Sequence, residues 1–338
     1  MKRTLCALAA LLITVSGALA EHTEDIFAMD TYMSVTCYGT GEEQAAKDAI
    51  AEIQRLDSLL SISSGSGEVY AINHSGGAVT LSEDTSVLLA ESLYAYEQSG
   101  GAFDITVLPL MELWGFTTGE YKVPDDASLS EALTLVGADR LTYDGSALTL
   151  GEGQTIDFGG IAKGYTSDRL MQIFKDSGIT CAMVNLGGNV ELYGTKIDGS
   201  NWRVGIRDPN DPEGLTTSGL LGKLECHDCA VITSGAYERN FTDEATGKLY
   251  HHIIDPSTGY PAESGVISST IVSSSGMLAD AYSTSCYILG VEKASEMWRN
   301  SPEGTFDMIL MTDDNNVYVT EGIADSFTSQ YPVTVITR

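Results

Sequence analysis

The chain contains 338 residues, and its 18 lysines and arginines are outnumbered by 47 aspartates and glutamates, which gives a formal net charge of −29 at pH 7. A surface this acidic repels nucleic acid and anionic lipid, so the composition argues against DNA-, RNA- and lipid-binding classes. An anionic small ligand would need a local cation, either a metal ion or a well-placed lysine.

The first twenty residues have the pattern of a secretory signal peptide. Lys2 and Arg3 form a basic start, residues 5–15 are apolar, and residues 18–20 form an exit with small side chains. We expect cleavage before Glu21, which leaves residues 21–338 as the mature domain. The apolar stretch is too short to span a bilayer, so we expect a soluble extracytoplasmic protein, either secreted or periplasmic.

Hydrophobic periodicity and turn residues predict alternating strands and helices. In chain order we expect a strand at 30–38, a helix at 42–60, a Gly/Ser-rich loop at 61–67, a helix at 82–99, a buried apolar segment at 109–116, a polar segment at 117–126, a short helix and a hairpin within 131–150, a strand, glycine turn and helix within 155–174, strands within 183–194, 202–207 and 266–273, and a helix at 278–298. No regular repeat or long linker divides these elements. The order predicts an α+β fold of two intimately packed α/β lobes, with mixed sheets and flanking helices.

Five cysteines follow the signal peptide, so at least one stays unpaired within a monomer. Cys226 and Cys229 form a Cys-x-x-Cys motif. A local disulfide or two free thiols is favoured over zinc, because no second such motif completes a four-thiolate site. The other three have apolar neighbours and are predicted to be core residues: Cys37, Cys181 and Cys286.

Residues 250–261 combine two histidines, an aspartate and several turn-forming residues. A short strand should contain the histidines and run into a tight turn after Asp255, since Pro256 disfavours a helical conformation there. Side chains alternate along a strand, so His251 and His252 point to opposite sides and only one can enter a given site. The alternative interpretation is a hairpin with one buried, hydrogen-bonded histidine.

Residues 155–165 predict a strand, a glycine turn and a helix start. Gly159 and Gly160 allow the backbone to approach a ligand closely, and the first turn of the helix offers free N–H groups that suit a phosphate. Lys163 adds a positive charge, and Asp157 ends the predicted strand. The spacing is not that of a P-loop. The alternative is an ordinary strand-to-helix turn that carries a surface lysine.

Asp280 and Thr284 are four residues apart at the start of the last long helix, so their oxygens share one helical face. Such oxygens are hard ligands for Mg²⁺ or Ca²⁺, particularly if a backbone carbonyl of the glycine turn completes the site. Alternatively, Asp280 favours the helix dipole and Thr284 bonds back to its own helix. Asp104 lies among aromatic residues, where it could contact a heteroaromatic ligand or cap the next segment.

Taken in order, these segments resemble the FAD:protein FMN transferase family, also called the ApbE family. The resemblance covers nearly all of the mature chain and rests on motifs at 29–31, 101–104, 113–116, 157–165, 184–188, 202–209, 233–235 and 252–261, and on Ala279, Asp280 and Thr284. The chain departs from the family pattern at two positions. Asp30 stands where glycine is usual, and Ser63 stands where an aromatic residue commonly stacks on the flavin ligand.

The resemblance implies an extracytoplasmic α+β enzyme that binds FAD and Mg²⁺. It would transfer the FMN moiety to a threonine or serine hydroxyl of an acceptor flavoprotein in a membrane electron-transport system, with release of AMP. Membrane proximity would arise through this acceptor only. Two alternatives remain open: a hydrolase that splits FAD into FMN and AMP, and a non-catalytic flavin-binding protein.

The resemblance also implies roles for particular residues of this chain. His252 would be the base that takes the proton of the acceptor hydroxyl. The metal would be held by the Gly160 carbonyl, Asp280 and Thr284. The implied FAD contacts are Met29, Ala102, Phe103, Asp104, Asp157, Lys163 and Ile253.

Overall fold

The computed structural model describes residues 20–211, residue 213 and residues 219–338, so the expected signal peptide lies outside the described residues except for Ala20. The helices are α1 (Glu42–Leu60), α2 (Glu68–His74), α3 (Glu83–Gln98), α4 (Leu108–Trp114), α5 (Asp126–Leu133), α6 (Ala162–Asp176), α7 (Gly276–Asn300) and α8 (Glu321–Ala324). The strands are β1 (Glu21–Ala28), β2 (Thr31–Tyr38), β3 (Val79–Thr80), β4 (Thr142–Tyr143), β5 (Ala147–Thr149), β6 (Cys181–Leu186), β7 (Asn189–Tyr193), β8 (Trp202–Arg207), β9 (Leu220–Cys226), β10 (Ala230–Gly235), β11 (Asn240–Thr242), β12 (Leu249–His251), β13 (Val266–Ser273), β14 (Asp307–Thr312), β15 (Val317–Thr320), β16 (Phe327–Ser329) and β17 (Val333–Ile336).

Nine of these strands form one large sheet, in the order β1-β2-β6-β7-β10-β13-β14-β15-β17. Its neighbouring strands pair antiparallel, except that β15 and β17 run parallel. Smaller sheets are formed by β16-β9-β8, by β3-β5-β4 and by the hairpin β11-β12. The combination of helices and mixed sheets confirms the predicted α+β class.

The core lies on both faces of the large sheet, because alternate residues of each strand point to opposite sides. Ile232 of β10 packs in a cluster with residues of α3 and α7. Its neighbour Val231 packs in another cluster with Trp202 and Leu224 of the β16-β9-β8 sheet. Helices α1 and α6 cover β1, β2 and β6 in a further cluster. Helices α6 and α7 also pack on each other, which brings their first turns together.

Two helices follow the sequence pattern closely. Helix α1 has the predicted bounds, and its apolar positions Ala46, Ile53 and Leu56 are fully buried. Helix α3 begins after Ser82, whose hydroxyl caps the first turn by accepting a hydrogen bond from the Thr85 N–H at 3.3 Å. The two glycines that follow α3 adopt left-handed conformations, which end the helix.

Two local predictions are wrong. The described residues 155–157 form no strand, because the Ile156 N–H donates to the Asn73 side chain and the Asp157 N–H donates to the Ile105 carbonyl, both at 2.8 Å. The hydrogen-bond partners of these backbone N–H groups are therefore a side chain and one main-chain carbonyl, and not the backbone of a neighbouring strand. The helix expected within 131–150 begins before that segment, since Asp125 caps its first turn. The hairpin expected in the same segment is confirmed by β4 and β5.

The cysteines occupy two kinds of environment. The three predicted core cysteines are fully buried, whereas Cys226 and Cys229 are partly exposed free thiols. Among the residues that the structure describes, no group of three or more His, Cys, Asp and Glu side chains is placed to hold a metal ion. In the same part of the chain, no helix is long and apolar enough to cross a membrane.

Candidate active site

The glycine turn places the start of α6 against the loop that contains Phe103. Asp157 Oδ1 accepts a hydrogen bond from the Gly159 N–H at 3.0 Å, and α6 follows this turn. A β-carbon on Gly160 would lie 3.1 Å from the Phe103 ring, so glycine allows the ring to approach the backbone. Lys163 lies in the first turn of the helix and is half-buried. The turn and its lysine have the predicted positions, although no strand precedes them in the described chain. The expectation of free N–H groups is wrong, because the Ala162 N–H donates to the Phe158 carbonyl at 2.8 Å and the Gly164 N–H donates to Asp280 at 2.9 Å.

Helices α6 and α7 approach each other closely at their first turns. A β-carbon on Gly164 would overlap the Gly276 carbonyl oxygen and would lie 2.7 Å from Asp280 Cβ, so the approach requires glycine. The Gly164 N–H donates to Asp280 Oδ2 at 2.9 Å, and the Asn189 side-chain amide donates to Oδ1 at 2.9 Å. The structure thus brings Asp280 to the first turn of α6, next to the glycine turn of the predicted metal site.

Asp280 is the charged group among the predicted metal ligands. Its side chain is buried, and burial raises its pKa, although the positive charge of Lys163 and the Gly164 N–H oppose this shift. Thr284 lies one turn further along α7, and its hydroxyl is 3.3 Å from the Ser234 hydroxyl on β10. Because the pKa of Asp280 stays raised despite its hydrogen bonds, a further positive charge beside it would stabilise the ionised carboxylate.

The two adjacent histidines occupy different environments. His251 is buried, its Nε2 lies 3.2 Å from the Ala262 carbonyl oxygen, and its Nδ1 accepts from the Ile253 N–H at 3.3 Å. His252 is partly exposed, and its ring meets the Phe116 ring edge-on at a centroid distance of 6.4 Å. One histidine is therefore a core residue and the other is accessible, as predicted. Strand β12 ends at His251, however, so His252 lies just beyond the strand that was expected to contain both histidines.

A backbone carbonyl defines which nitrogen of His252 carries the hydrogen. Nδ1 lies 3.2 Å from the Arg239 carbonyl oxygen, which can only accept, so Nδ1 is the donor and Nε2 keeps its lone pair. Removal from water lowers the pKa of His252 to about 3, with further lowering by the charges of Arg239, His251 and Lys163. The imidazole is therefore neutral near pH 7 and can accept a proton at Nε2.

Lys163 lies near three of the predicted site residues. Its charge lowers the pKa of Asp280, which burial raises. It also lowers the pKa of His252, which burial lowers as well. Burial also raises the pKa of Asp157, and there the Gly159 N–H and the charges of Arg239 and Lys163 oppose the shift. Because the effect of a charge falls with distance, one lysine that acts on all three groups indicates that they share one site.

The turn between β1 and β2 contains the next predicted contact. Met29 and Asp30 both adopt left-handed backbone conformations, with φ of 47° and 58°. The Met29 N–H donates to the Asp57 carboxylate of α1 at 3.0 Å, which holds the turn in place. A left-handed conformation accounts for the glycine that the family pattern has at the position of Asp30, and aspartate is one of the few other residues that tolerate it.

The other predicted FAD contacts are buried side chains. Asp104 is engaged in local structure: its Oδ1 accepts from the Thr106 N–H at 2.8 Å, and its Oδ2 accepts from the Ala138 N–H at 3.2 Å. These bonds confirm that Asp104 caps the next segment, while its contact with FAD stays a prediction. The buried set consists of Ala102, Phe103, Asp104 and Ile253.

Two residues of the site were not predicted from the sequence. Asn189, the first residue of β7, holds one oxygen of Asp280. Arg239 holds His252 through its carbonyl, and its charge lowers the pKa of both His252 and Asp157. The available signal for Arg239 was a cation 13 residues before His252 in a chain with few cations.

Fold and site together define an α+β protein in which a lysine, a buried carboxylate and a neutral histidine lie near one glycine turn. The model of the ApbE family matches residues 29–309, and the chain belongs to this family. A FAD:protein FMN transferase from Treponema pallidum is 34% identical over 304 residues, which cover 83% of this chain and 80% of that relative. One from Klebsiella pneumoniae is 31% identical over 281 residues, or 82% and 84% of the two chains. The crystal structure of the ApbE protein from Thermotoga maritima superposes with a TM-score of 0.82 at 30% identity and covers 90% of this chain and 98% of that one.

The predicted metal ligands fit a hard divalent cation in their chemistry. Asp280 offers a carboxylate, Thr284 a hydroxyl and Gly160 a main-chain carbonyl, and all three are oxygen donors of the kind that Mg²⁺ prefers. Among the described residues, Asp280 belongs to no group of three or more acidic, histidine and cysteine side chains placed to hold a metal ion. A Mg²⁺ ion here would therefore draw its remaining negative charge from the phosphates of a bound ligand.

Proposed function

We propose that this protein transfers the FMN moiety of FAD to a threonine or serine hydroxyl of an acceptor flavoprotein and releases AMP. The observation that carries the proposal is the grouping of a neutral, accessible His252 with Lys163 and Asp280 around one glycine turn. Relatives that are about one-third identical over most of the chain are FAD:protein FMN transferases. The combination of a base, a cation and a hard oxygen site is what phosphoryl transfer requires.

The proposed binding roles follow the family pattern. Lys163 would approach the diphosphate of FAD, where its positive charge favours an anion. Mg²⁺, held by Gly160, Asp280 and Thr284, would supply further charge neutralisation when bound. The rest of the FAD molecule would contact Met29, Ala102, Phe103, Asp104, Asp157 and Ile253.

In the proposed reaction the acceptor hydroxyl attacks the phosphorus atom of the FMN phosphate. Its oxygen forms a new P–O bond, the P–O bond to the AMP half breaks, and AMP leaves with the bridging oxygen. The hydroxyl proton moves to Nε2 of His252, whose Nδ1–H stays bonded to the Arg239 carbonyl. A bound diphosphate would bring negative charge to the imidazole and raise its pKa toward neutrality, which improves it as a base.

We also propose where the protein works. The signal-peptide pattern of residues 1–20 supports an extracytoplasmic location, and the acceptor would be a flavoprotein of a membrane electron-transport system. The negative charge of the chain suits a soluble enzyme that reaches a membrane only through its partner.

The experiment that tests the proposal uses the purified mature protein with FAD, MgCl₂ and a candidate acceptor domain. Released AMP is measured by chromatography, and acceptor-bound flavin is measured by in-gel fluorescence and by mass spectrometry. Equal amounts of AMP and acceptor-bound FMN would support transfer. AMP with free FMN would indicate FAD hydrolysis, and tight FAD binding without AMP would indicate a flavin-binding protein.

A pair of histidine variants makes the same test specific for the site. His252→Ala should remove acceptor labelling, because no other neutral base is placed to take the hydroxyl proton in the described site. His74→Ala is the matched control, since His74 is an exposed residue of α2 that stacks on Tyr70. Equal activity of the two variants would refute the role of His252.

A further inference from the structure

Arg239 forms a backbone support for the proposed base. It lies between β10 and β11, and its carbonyl oxygen accepts a hydrogen bond from the His252 N–H at 3.1 Å. The same oxygen lies 3.2 Å from Nδ1 of the His252 ring. One carbonyl group therefore fixes both the backbone and the ring of His252. Rotation of the ring about its side-chain bonds would break the second of these hydrogen bonds.

The side chain of Arg239 reaches across the site to the turn between β1 and β2. Its Nη2 lies 3.9 Å from Oδ2 of Asp30, and the two side chains are 41% and 87% exposed. An exposed pair at this distance contributes little to stability. Its consequence is the position of the guanidinium, which is held on the side of the site that contains His252 and Asp157.

The charged and titratable groups that act on His252 come from several elements. They are Arg239 before β11, Lys163 at the start of α6 and His251 at the end of β12. Asp30 and Asp157 lie on the other side of the guanidinium, where Asp30 approaches it and Asp157 responds to its charge. The imidazole of His252 thus shares its surroundings with two fixed cations.

We propose that Arg239 is a positioning residue for His252: its carbonyl accepts from both the backbone N–H and the Nδ1–H of His252, which holds the ring with Nε2 free, and its guanidinium places a positive charge near the ring. The role of His252 as base rests on the proposed function. The state of the ring does not, and it can be measured in the ligand-free protein. Asp30 stands where the family pattern has glycine, so a carboxylate near this guanidinium is a feature of this chain.

The test is an NMR titration of the mature protein with ¹⁵N- and ¹³C-labelled histidine, in which His252→Gln assigns the signal. The wild-type ring should show the hydrogen on Nδ1, and its titration midpoint should lie well below the ordinary histidine value. Arg239→Gln should move the titration midpoint of His252 upward by about one pH unit, the usual effect of one nearby charge. Arg239→Lys keeps the charge and should leave the midpoint near the wild-type value.

Arg203→Gln is the matched control, because Arg203 is an exposed arginine of β8 whose partner is Glu225. It should leave the His252 signal unchanged. If Arg239→Gln does not fold, as judged by its melting temperature, Arg239→Met removes the charge and keeps the apolar stem. A hydrogen on Nε2 in the wild type, or an unchanged midpoint in both charge-removing variants, would overturn the proposal.

The contribution of Asp30 is tested by combining substitutions. Asp30→Asn tolerates the left-handed backbone and removes the charge. Its effect on the His252 midpoint should disappear in the Arg239→Gln background, whereas an effect of equal size in both backgrounds would show that Asp30 acts independently. If the midpoint shifts as expected but no variant and no wild-type preparation releases AMP from FAD, the positioning role stands and the proposed function fails.

Discussion

The substitution Asp280→Asn should separate the proposed metal site from the stability of the fold. It keeps the shape of a buried side chain whose two oxygens accept from Gly164 and Asn189. The new amide oxygen can accept the Gly164 N–H, and the new NH₂ group can donate to the Asn189 side chain once that amide flips. Both hydrogen bonds can therefore survive, while the negative charge among the proposed metal ligands is lost.

The expected change in the free energy of unfolding follows from the raised pKa of Asp280. A carboxyl group whose pKa is raised by burial costs stability when it is ionised, so removing the charge offsets any weakening of the two hydrogen bonds. We expect the free energy of unfolding of the metal-free protein to change by no more than about 1 kcal/mol. The melting temperature should then move by less than about 2 °C.

Magnesium should raise the melting temperature of the wild type but not that of Asp280→Asn. At about 100 times its dissociation constant, a ligand that binds only the folded state adds about 2.7 kcal/mol, which corresponds to a rise of about 4 °C in the melting temperature of a chain of this length. We expect this rise in the wild type and its loss in Asp280→Asn. The assay is differential scanning fluorimetry in the presence of FAD, with EDTA or with MgCl₂, and Asp48→Asn on the exposed face of α1 is the control. An equal magnesium-dependent rise in Asp280→Asn and the wild type would refute the assigned ligand.

Three further outcomes are expected. His252→Ala should abolish FMN transfer and retain FAD binding, whereas His251→Ala should mainly lower the melting temperature, because His251 is a buried, hydrogen-bonded residue; equal losses of transfer in the two variants would contradict the assignment. Gly164→Ala should destabilise the protein by about 1–3 kcal/mol or prevent folding, since its methyl group would overlap the Gly276 carbonyl and crowd Asp280, and urea unfolding measures this. Burial lowers the pKa of His252 to about 3 in the folded state, so protonation of the unfolded chain below about pH 6.5 makes His252 contribute a loss of stability of up to about 2 kcal/mol from pH 7 to pH 5. In urea unfolding at the two pH values, the change in the wild type should differ from the change in His252→Gln by this contribution.

The sequence was sufficient for elements whose hydrogen bonds are local. Helix α1 has its predicted bounds because apolar residues recur at helical spacing along its whole length. The start of α3 could be predicted because Ser82 is an N-cap residue. The strand prediction for residues 155–157 was wrong for the opposite reason. Their backbone is satisfied by the side chain of Asn73 and the carbonyl of Ile105, and neither partner can be inferred from the local pattern. The order of the nine strands in the large sheet likewise depends on long-range pairing.

The same distinction applies to the candidate site. Residue types with obvious chemistry, such as His252, Lys163 and Asp280, could be selected from the sequence because their motifs are short and local. Their mutual placement could not, since Asp280 meets Gly164 across 116 residues. Arg239 was overlooked because its carbonyl, a group that every residue possesses, makes the contact that orients the imidazole.

The net charge of the chain does not predict the electrostatic potential inside the candidate site. A chain with 47 acidic residues and 18 lysines and arginines is anionic as a whole, yet Arg239 and Lys163 both act on His252 and on Asp157. Surface carboxylates are screened by water and salt, whereas these two cations act at short range on partly buried groups. The site can therefore attract a diphosphate and keep an imidazole unprotonated within an acidic protein. By the same reasoning, added salt should weaken the repulsion between the protein surface and FAD, while the protonation state of His252 should change little.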